Sequence, residues 1–179
     1  MRTIKIVFTV LVLSPGLVFA GNQKMQLDIL IDALVVCPPG APTRFVDNGD
    51  GTICDHQTGL MWEKKNANDN VIDFSNPHDV DNSYTWTDGG DGDVNNPDGT
   101  AFTDFLARLN GVVSGSGSSE QLGGYSDWRL PTIAELETIR SDPSCDTIPC
   151  VIDPVFEATL HGRYWSATSQ YNLASGAWW

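Results

Sequence analysis

Two turn signals set close together leave the segment from Phe45 to Trp62 one simple path, an antiparallel meander. Asp47-Asn48-Gly49-Asp50-Gly51 follows Phe45-Val46, and His56-Gln57-Thr58-Gly59 separates Thr52-Ile53-Cys54 from Leu60-Met61-Trp62. Gly, Asn and Asp reach the backbone angles that reverse a strand, and so short a reversal can only join antiparallel neighbours. Three short strands are therefore expected, with Trp62 in the core. Asp47, Asp50 and Asp55 are acidic and clustered, but Gly49 and Gly51 explain the stretch as turn chemistry.

Farther along, the texture alternates between loop and helix. Residues 66–100 are rich in Asn, Asp, Gly and Pro, with Tyr84-Thr85-Trp86 as an isolated strand-like anchor. A connection of this length is expected to be functional or mobile. Ala101, Phe102, Phe105, Leu106 and Leu109 fall on one face at helical spacing, with Thr100 as N-cap and Gly111 past the end. Ser114 to Ser119 reads as a Gly/Ser link. A second helix begins at Thr132-Ile133-Ala134-Glu135, a capping box in which hydroxyl and carboxylate satisfy each other's free backbone N–H groups. Ile133, Leu136 and Ile139 or Arg140 continue its pattern, and Pro143 stops it. Asp127-Trp128-Arg129 reads as an ion pair around a buried Trp. Tyr164 to Thr168 and Ala177-Trp178-Trp179 read as short strands.

The N-terminus bears on compartment. Arg2 and Lys5 precede an apolar run, Ile6 to Leu13, and Val18-Phe19-Ala20 offers the small residues a signal peptidase reads. The run is too short to span a bilayer, which needs roughly 20 apolar residues, and Pro15 interrupts it. A cleaved signal peptide over 1–20 is expected, then a lead-in arm over 21–42 and one domain over 43–179. No stable membrane insertion is expected after cleavage. The nearest cysteine, Cys37, follows Val36 rather than a small residue, which disfavours a lipoprotein.

With Arg2 and Lys5 removed, eight basic residues stand against 23 acidic ones, a net charge of −15. Such a surface repels nucleic acid, anionic lipid and sulfated polysaccharide, and suits cations or neutral ligands. A basic cluster of Lys64, Lys65 and Arg163 would be a small exception. Cys37, Cys54, Cys145 and Cys150 all follow the cleavage site, an even count that suggests two disulfides with three possible connectivities. Cys145-Asp-Thr-Ile-Pro-Cys150 closes a small loop, so local pairing is the simplest choice, and it leaves Cys37 with Cys54. The spacings do not match zinc knuckles, and His56, His78 and His161 are scattered.

The segment from Asp88 to Asp98 invites a calcium reading. Asp88, Asp91, Asp93, Asn95 and Asp98 crowd oxygens onto a flexible backbone, and Asp91, Asp93 and Asn95 alternate as in a calcium loop. Asn96 stands where glycine is expected and Phe102 where a Glu is, so a solvated acidic loop competes with a Ca²⁺ site. The chain has no Gly-x-Ser-x-Gly elbow, Walker loop or His-Glu-x-x-His run, and catalysis is not expected.

Three stretches together carry a family resemblance. They are Asp47-Asn48-Gly49-Asp50-Gly51-Thr52 with Thr58-Gly59-Leu60-Met61-Trp62; Asp127-Trp128-Arg129-Leu130-Pro131-Thr132 with Glu135-Leu136; and Ile152-Asp153-Pro154-Val155-Phe156 with Tyr164-Trp165-Ser166. In order and spacing they resemble the Lcl C-terminal domain family, a bacterial domain of unknown function, over roughly Arg44 to Trp179. The Arg-Leu-Pro-Thr…Glu stretch is also similar to formylglycine-generating enzymes, which use a reactive cysteine pair that this chain does not place. The resemblance implies an α+β, C-type-lectin-like fold, with two helices packed on a small twisted antiparallel sheet and long loops. Family members usually continue past the Ala-Trp motif, so truncated C-terminal strands are expected here. The adhesin that names the family is associated with sulfated glycosaminoglycans, a ligand class that −15 disfavours. The expectation is an exported, adhesin-type recognition module for an extracellular glycan or protein ligand. A structural part of the envelope is the alternative, and a formylglycine-generating-type catalyst a more distant one. Residue patterns do not specify the ligand or the oligomeric state.

Overall fold

The meander forms as its turns dictate. In the computed structural model, which describes residues 37–89, 96–112, 121–140, 152–157, 159 and 164–168, three strands run β1 (Phe45–Asp47), β2 (Thr52–Asp55) and β3 (Leu60–Glu63). They pair antiparallel in sequence order, with Val46 opposite Cys54 and Ile53 opposite Trp62. Every residue of β2 and β3 is buried. Successive side chains point to opposite faces, so β2 and β3 are covered on both sides, while β1 is the exposed edge. The three acidic residues of this stretch act as turn and core groups. Asp47 and Asp50 accept from the backbone N–H groups of Gly49 and Thr52, and Asp55 is fully buried beneath Arg44.

Arg44 joins distant parts of the chain. Its guanidinium donates two bonds to the Asp55 carboxylate, at 3.0 and 2.8 Å, and a third to the Thr138 carbonyl at 2.6 Å. Burial pushes the Asp55 carboxyl up, but the bonds from Arg44, the Gln57 amide and the Thr58 hydroxyl outweigh it, and the net shift is downward. The planar fork of an arginine suits this two-sided role. On the central strand, Cys54 forms a disulfide with Cys37, which ties the end of the lead-in arm to the sheet. Cys145 and Cys150 lie outside the described residues, as do the expected signal segment 1–20 and the expected arm up to residue 36.

The helical elements depart from expectation in detail. The apolar face of Ala101, Phe105, Leu106 and Leu109 is buried as its spacing requires. Its backbone, however, is a π-helical segment over Ala101–Leu106 followed by only three α-helical residues, α1 (Ala107–Leu109). Thr100 is no side-chain cap. Its hydroxyl accepts from the Thr85 N–H at 2.8 Å, and the Thr85 hydroxyl accepts from the Thr100 N–H at 3.0 Å. That exchange holds Tyr84–Trp86, expected as an isolated strand-like anchor, against the helix entry without forming a strand. At the other end, Gly111 has φ +77°. Val112 N–H bonds the Ala107 carbonyl and Gly111 N–H that of Arg108, the left-handed glycine termination in which both free carbonyls are met.

Helix α2 (Ile133–Thr138) carries the capping box in full. Its Glu135 also receives two bonds from Arg129, at 2.9 and 2.6 Å, so the ion pair expected within Asp127-Trp128-Arg129 forms with Glu135 instead. Trp128 is buried as anticipated and donates its indole N–H to the Leu122 carbonyl. A 3₁₀ turn, Pro154–Phe156, is capped by Asp153 and sets Phe156 edge-on to Phe45 and Trp62. Tyr164 and Trp165 make bridges rather than a strand, and 177–179 lie outside the described residues. Among the described residues the architecture is α+β: a small antiparallel sheet, one regular α-helix, and helical turns around a shared aromatic core.

Candidate functional site

The stretch after β3 closes on itself. Asn66 pairs with Asp79 in a parallel bridge; its N–H bonds the His78 carbonyl, and its own carbonyl accepts from Val80. Between these ends the chain makes a loop stitched by carboxylates. Asp69 accepts from Val71 N–H, Asp73 from the Ser75 N–H and hydroxyl, and Asp79 from Asp73 and Asp81. Asp81 accepts from Asp69 and Asn70. These are the local side-chain-to-backbone bonds that Asp and Asn favour in place of regular structure. The Ser75 hydroxyl and N–H hold the Asp73 carboxyl below its usual value, so it keeps its charge.

Two buried residues fix this loop from beneath. Arg108, on α1, is 1% exposed; it donates to the Phe74 and Ser75 carbonyls, each at 2.6 Å. The Asn82 amide donates to the Asp73 and Asn76 carbonyls at 2.9 and 2.8 Å. At the loop's foot lies a buried charged group. Glu63, the last residue of β3, pairs through Oε1 with Lys65 Nζ at 2.8 Å and with His78 Nδ1 at 2.7 Å. Lys65 also donates to the Pro77 carbonyl and lies 4.2 Å over the Phe105 ring. Removing one partner of such a set leaves an uncompensated buried charge, so the foot has one preferred arrangement. Burial, and then the negative charges of Glu63 and Asp104, raise the pKa of nearby Tyr84.

The same loop turns apolar residues outward. Val71, Ile72 and Phe74 are 61, 54 and 50% exposed. Phe74 keeps an edge contact with Tyr84, ring centroids 6.0 Å apart. A large apolar side chain held in water on an ordered backbone is the informative kind of exposure.

The calcium expectation meets partial geometry. Asp91, Asp93 and Asn95 lie outside the described residues. Asp98 accepts from the Asp88 N–H through one oxygen and from the Asn96 amide through the other, so its carboxylate clamps the neck of the loop. Among the described residues no group of three His, Cys, Asp or Glu side chains is placed to hold a metal ion. Lys64 and Lys65 do not combine into a basic cluster. Lys64 bridges Asp47 and Glu157, which raise its pKa, while Lys65 is buried; Arg163 lies outside the described residues. Of the histidines, His56 meets the Pro38 carbonyl and His78 meets Glu63, and His161 is outside the described residues.

Sequence reasoning passed over Glu63, Asn82 and Arg108, and read Lys65 only as part of a basic surface cluster, not as a buried partner of Glu63. Arg108 carried one signal, a charge beside Leu109 in an otherwise apolar run; Lys65 carried another, following the core run that ends at Trp62.

These elements define a small α+β domain that, among the described residues, turns outward a carboxylate-stitched, apolar-tipped loop. The chain belongs to the Lcl C-terminal domain family, whose model matches residues 51–179. No curated protein and no solved structure matches it.

Proposed function

We propose that this chain is an exported, adhesin-type recognition module, C-type-lectin-like in fold, which presents the 66–100 region to an extracellular carbohydrate or protein ligand. One observation carries the reading. Val71, Ile72 and Phe74 stand in solvent on a loop whose backbone is held by buried Arg108 and Asn82. Binding residues on a loop fixed by a rigid scaffold lose little entropy on contact. The signal-like N-terminus and the Cys37–Cys54 disulfide support export, since disulfides persist in oxidising compartments. Catalysis is no part of this reading.

The test is binding of the purified oxidised chain to glycan and extracellular-protein arrays, with and without millimolar Ca²⁺. Reproducible, saturable binding is expected, and binding only with Ca²⁺ would assign a role to the 88–98 segment. No binding on either array under either condition would sink the proposal.

A further inference from the structure

We infer that the 66–82 loop docks by its tip into an apolar pocket rimmed with basic side chains on a partner protein, with Phe74 as the anchor. This rests on the recognition role proposed above and names the ligand class for it. The apolar element is Val71, Ile72 and Phe74. The rim is acidic: Asp69 and Asp73 flank the tip, Asp81 lies behind it, and no Lys or Arg occurs between 66 and 89. Arg108, which reaches the loop from α1, is buried and turned to backbone carbonyls. An apolar centre within a ring of one charge sign is complemented by an apolar pocket within the opposite sign.

Charge and hydrogen bonding set the other occupants aside. A second copy would bring one acidic rim against another, and an anionic membrane would be repelled in the same way. A sugar needs free donors and acceptors, whereas the polar side chains around the tip already bond the loop: Asp81 to Asp69 and Asn70, Asp73 to Ser75, Asn76 to Asn66. The centre of the tip offers apolar contact and its rim only carboxylate acceptors, which suit basic side chains; Phe74 is half buried against Tyr84, so little freedom is left to lose when it inserts.

The experiment pans a displayed random-peptide library on the oxidised full chain, with counter-selection on the Ile72→Ser/Phe74→Ser variant. Recovered peptides are then synthesised and titrated. Peptides combining aromatic or aliphatic residues with Lys or Arg are expected, weakened roughly tenfold or more by Ile72→Ser/Phe74→Ser, as for a hot-spot anchor. Asp69→Asn/Asp73→Asn keeps the turn-forming carbonyls, and should weaken binding roughly threefold and flatten its salt dependence. Unchanged melting temperatures show that the variants fold.

The inference is overturned if no tip-dependent peptide is recovered, or if the recovered peptides lack basic residues. Phe74-dependent self-association in sedimentation, or Phe74-dependent binding to phosphatidylcholine/phosphatidylglycerol vesicles, would also overturn it. A glycan-array signal that survives Ile72→Ser/Phe74→Ser overturns this inference while leaving the broader recognition role standing.

Discussion

Arg108 shows how one side chain sets a loop more than thirty residues away. Its two donors reach adjacent carbonyls, Phe74 and Ser75, a geometry that matches a guanidinium fork and that a single ammonium cannot reproduce. Arg108→Lys should lower stability by about 2 kcal/mol, the scale of a charged hydrogen bond, as read by urea unfolding. Amide exchange should quicken within 66–82 in particular; unchanged exchange there would mean that Arg108 does not hold the loop. Gly99 makes a different single-residue demand. A Cβ on it would lie 2.4 Å from the Thr85 carbonyl oxygen and 2.6 Å from the Trp86 carbonyl carbon. Backbone cannot yield as a flexible side-chain end can, so Gly99→Ala should part the Thr85–Thr100 exchange and cost roughly 1–3 kcal/mol, the range for overpacking. A melting temperature equal to that of the parent chain would contradict this.

At the scale of elements, local signals and distant contacts divide the fold between them. The meander and the capping box of α2 were legible because each is written in neighbouring residues: glycine-bearing turns at Asp47–Gly51 and His56–Gly59, and Thr132 three residues before Glu135. The π-helical turn was not legible, because over six residues the apolar spacing barely separates one helical bond pattern from the next. Its start is fixed instead by contacts between Gly99–Ala101 and Thr85–Trp86. The charged foot of the loop was hidden for the same reason. Glu63, Lys65 and His78 are ordinary polar residues in sequence, and only the return of the chain at His78 and the approach of Phe105 to Lys65 make them buried partners. The Asn- and Asp-rich composition marked a loop but could not reveal that Arg108 closes it. The cap of α2 adds a pH prediction. Arg129, with help from Thr132, holds the Glu135 carboxyl at about 2, below its ordinary 4.5. Because the folded value is the lower one, the ionised cap stabilises the chain above about pH 4.5, and that contribution is lost as pH falls toward 2. Glu135 is partly exposed, so after solvent screening the effect is about 1 kcal/mol. Glu135→Gln should flatten the stability profile between pH 5 and 2 by about that amount; an acid limb identical to that of the parent would refute the assignment.

For the whole molecule, acidity and cross-linking pull in opposite directions. A surface as acidic as this one favours solubility, but its self-repulsion works against compaction. Three basic side chains each make more than one contact: Arg44 joins the Asp55 carboxylate to the Thr138 carbonyl, Lys64 pairs with both Asp47 and Glu157, and Lys65 joins Glu63 to the Pro77 carbonyl. The Cys37–Cys54 disulfide adds a restraint that does not depend on charge. It joins residues 17 apart, and it anchors the lead-in arm beside His56, whose ring meets the Pro38 carbonyl. A closed loop of that size restricts the unfolded chain by about 3 kcal/mol. The double substitution Cys37→Ser/Cys54→Ser is the informative variant, because it removes this cross-link and leaves the rest of the chain unaltered. It should lower unfolding free energy by about 2–4 kcal/mol without changing the antiparallel register of β1 to β3. The loss should be larger in dilute buffer than at high salt, since screening relieves the self-repulsion that the cross-link offsets. A variant as stable as the parent chain would show that the arm does not contribute to the fold through Cys54.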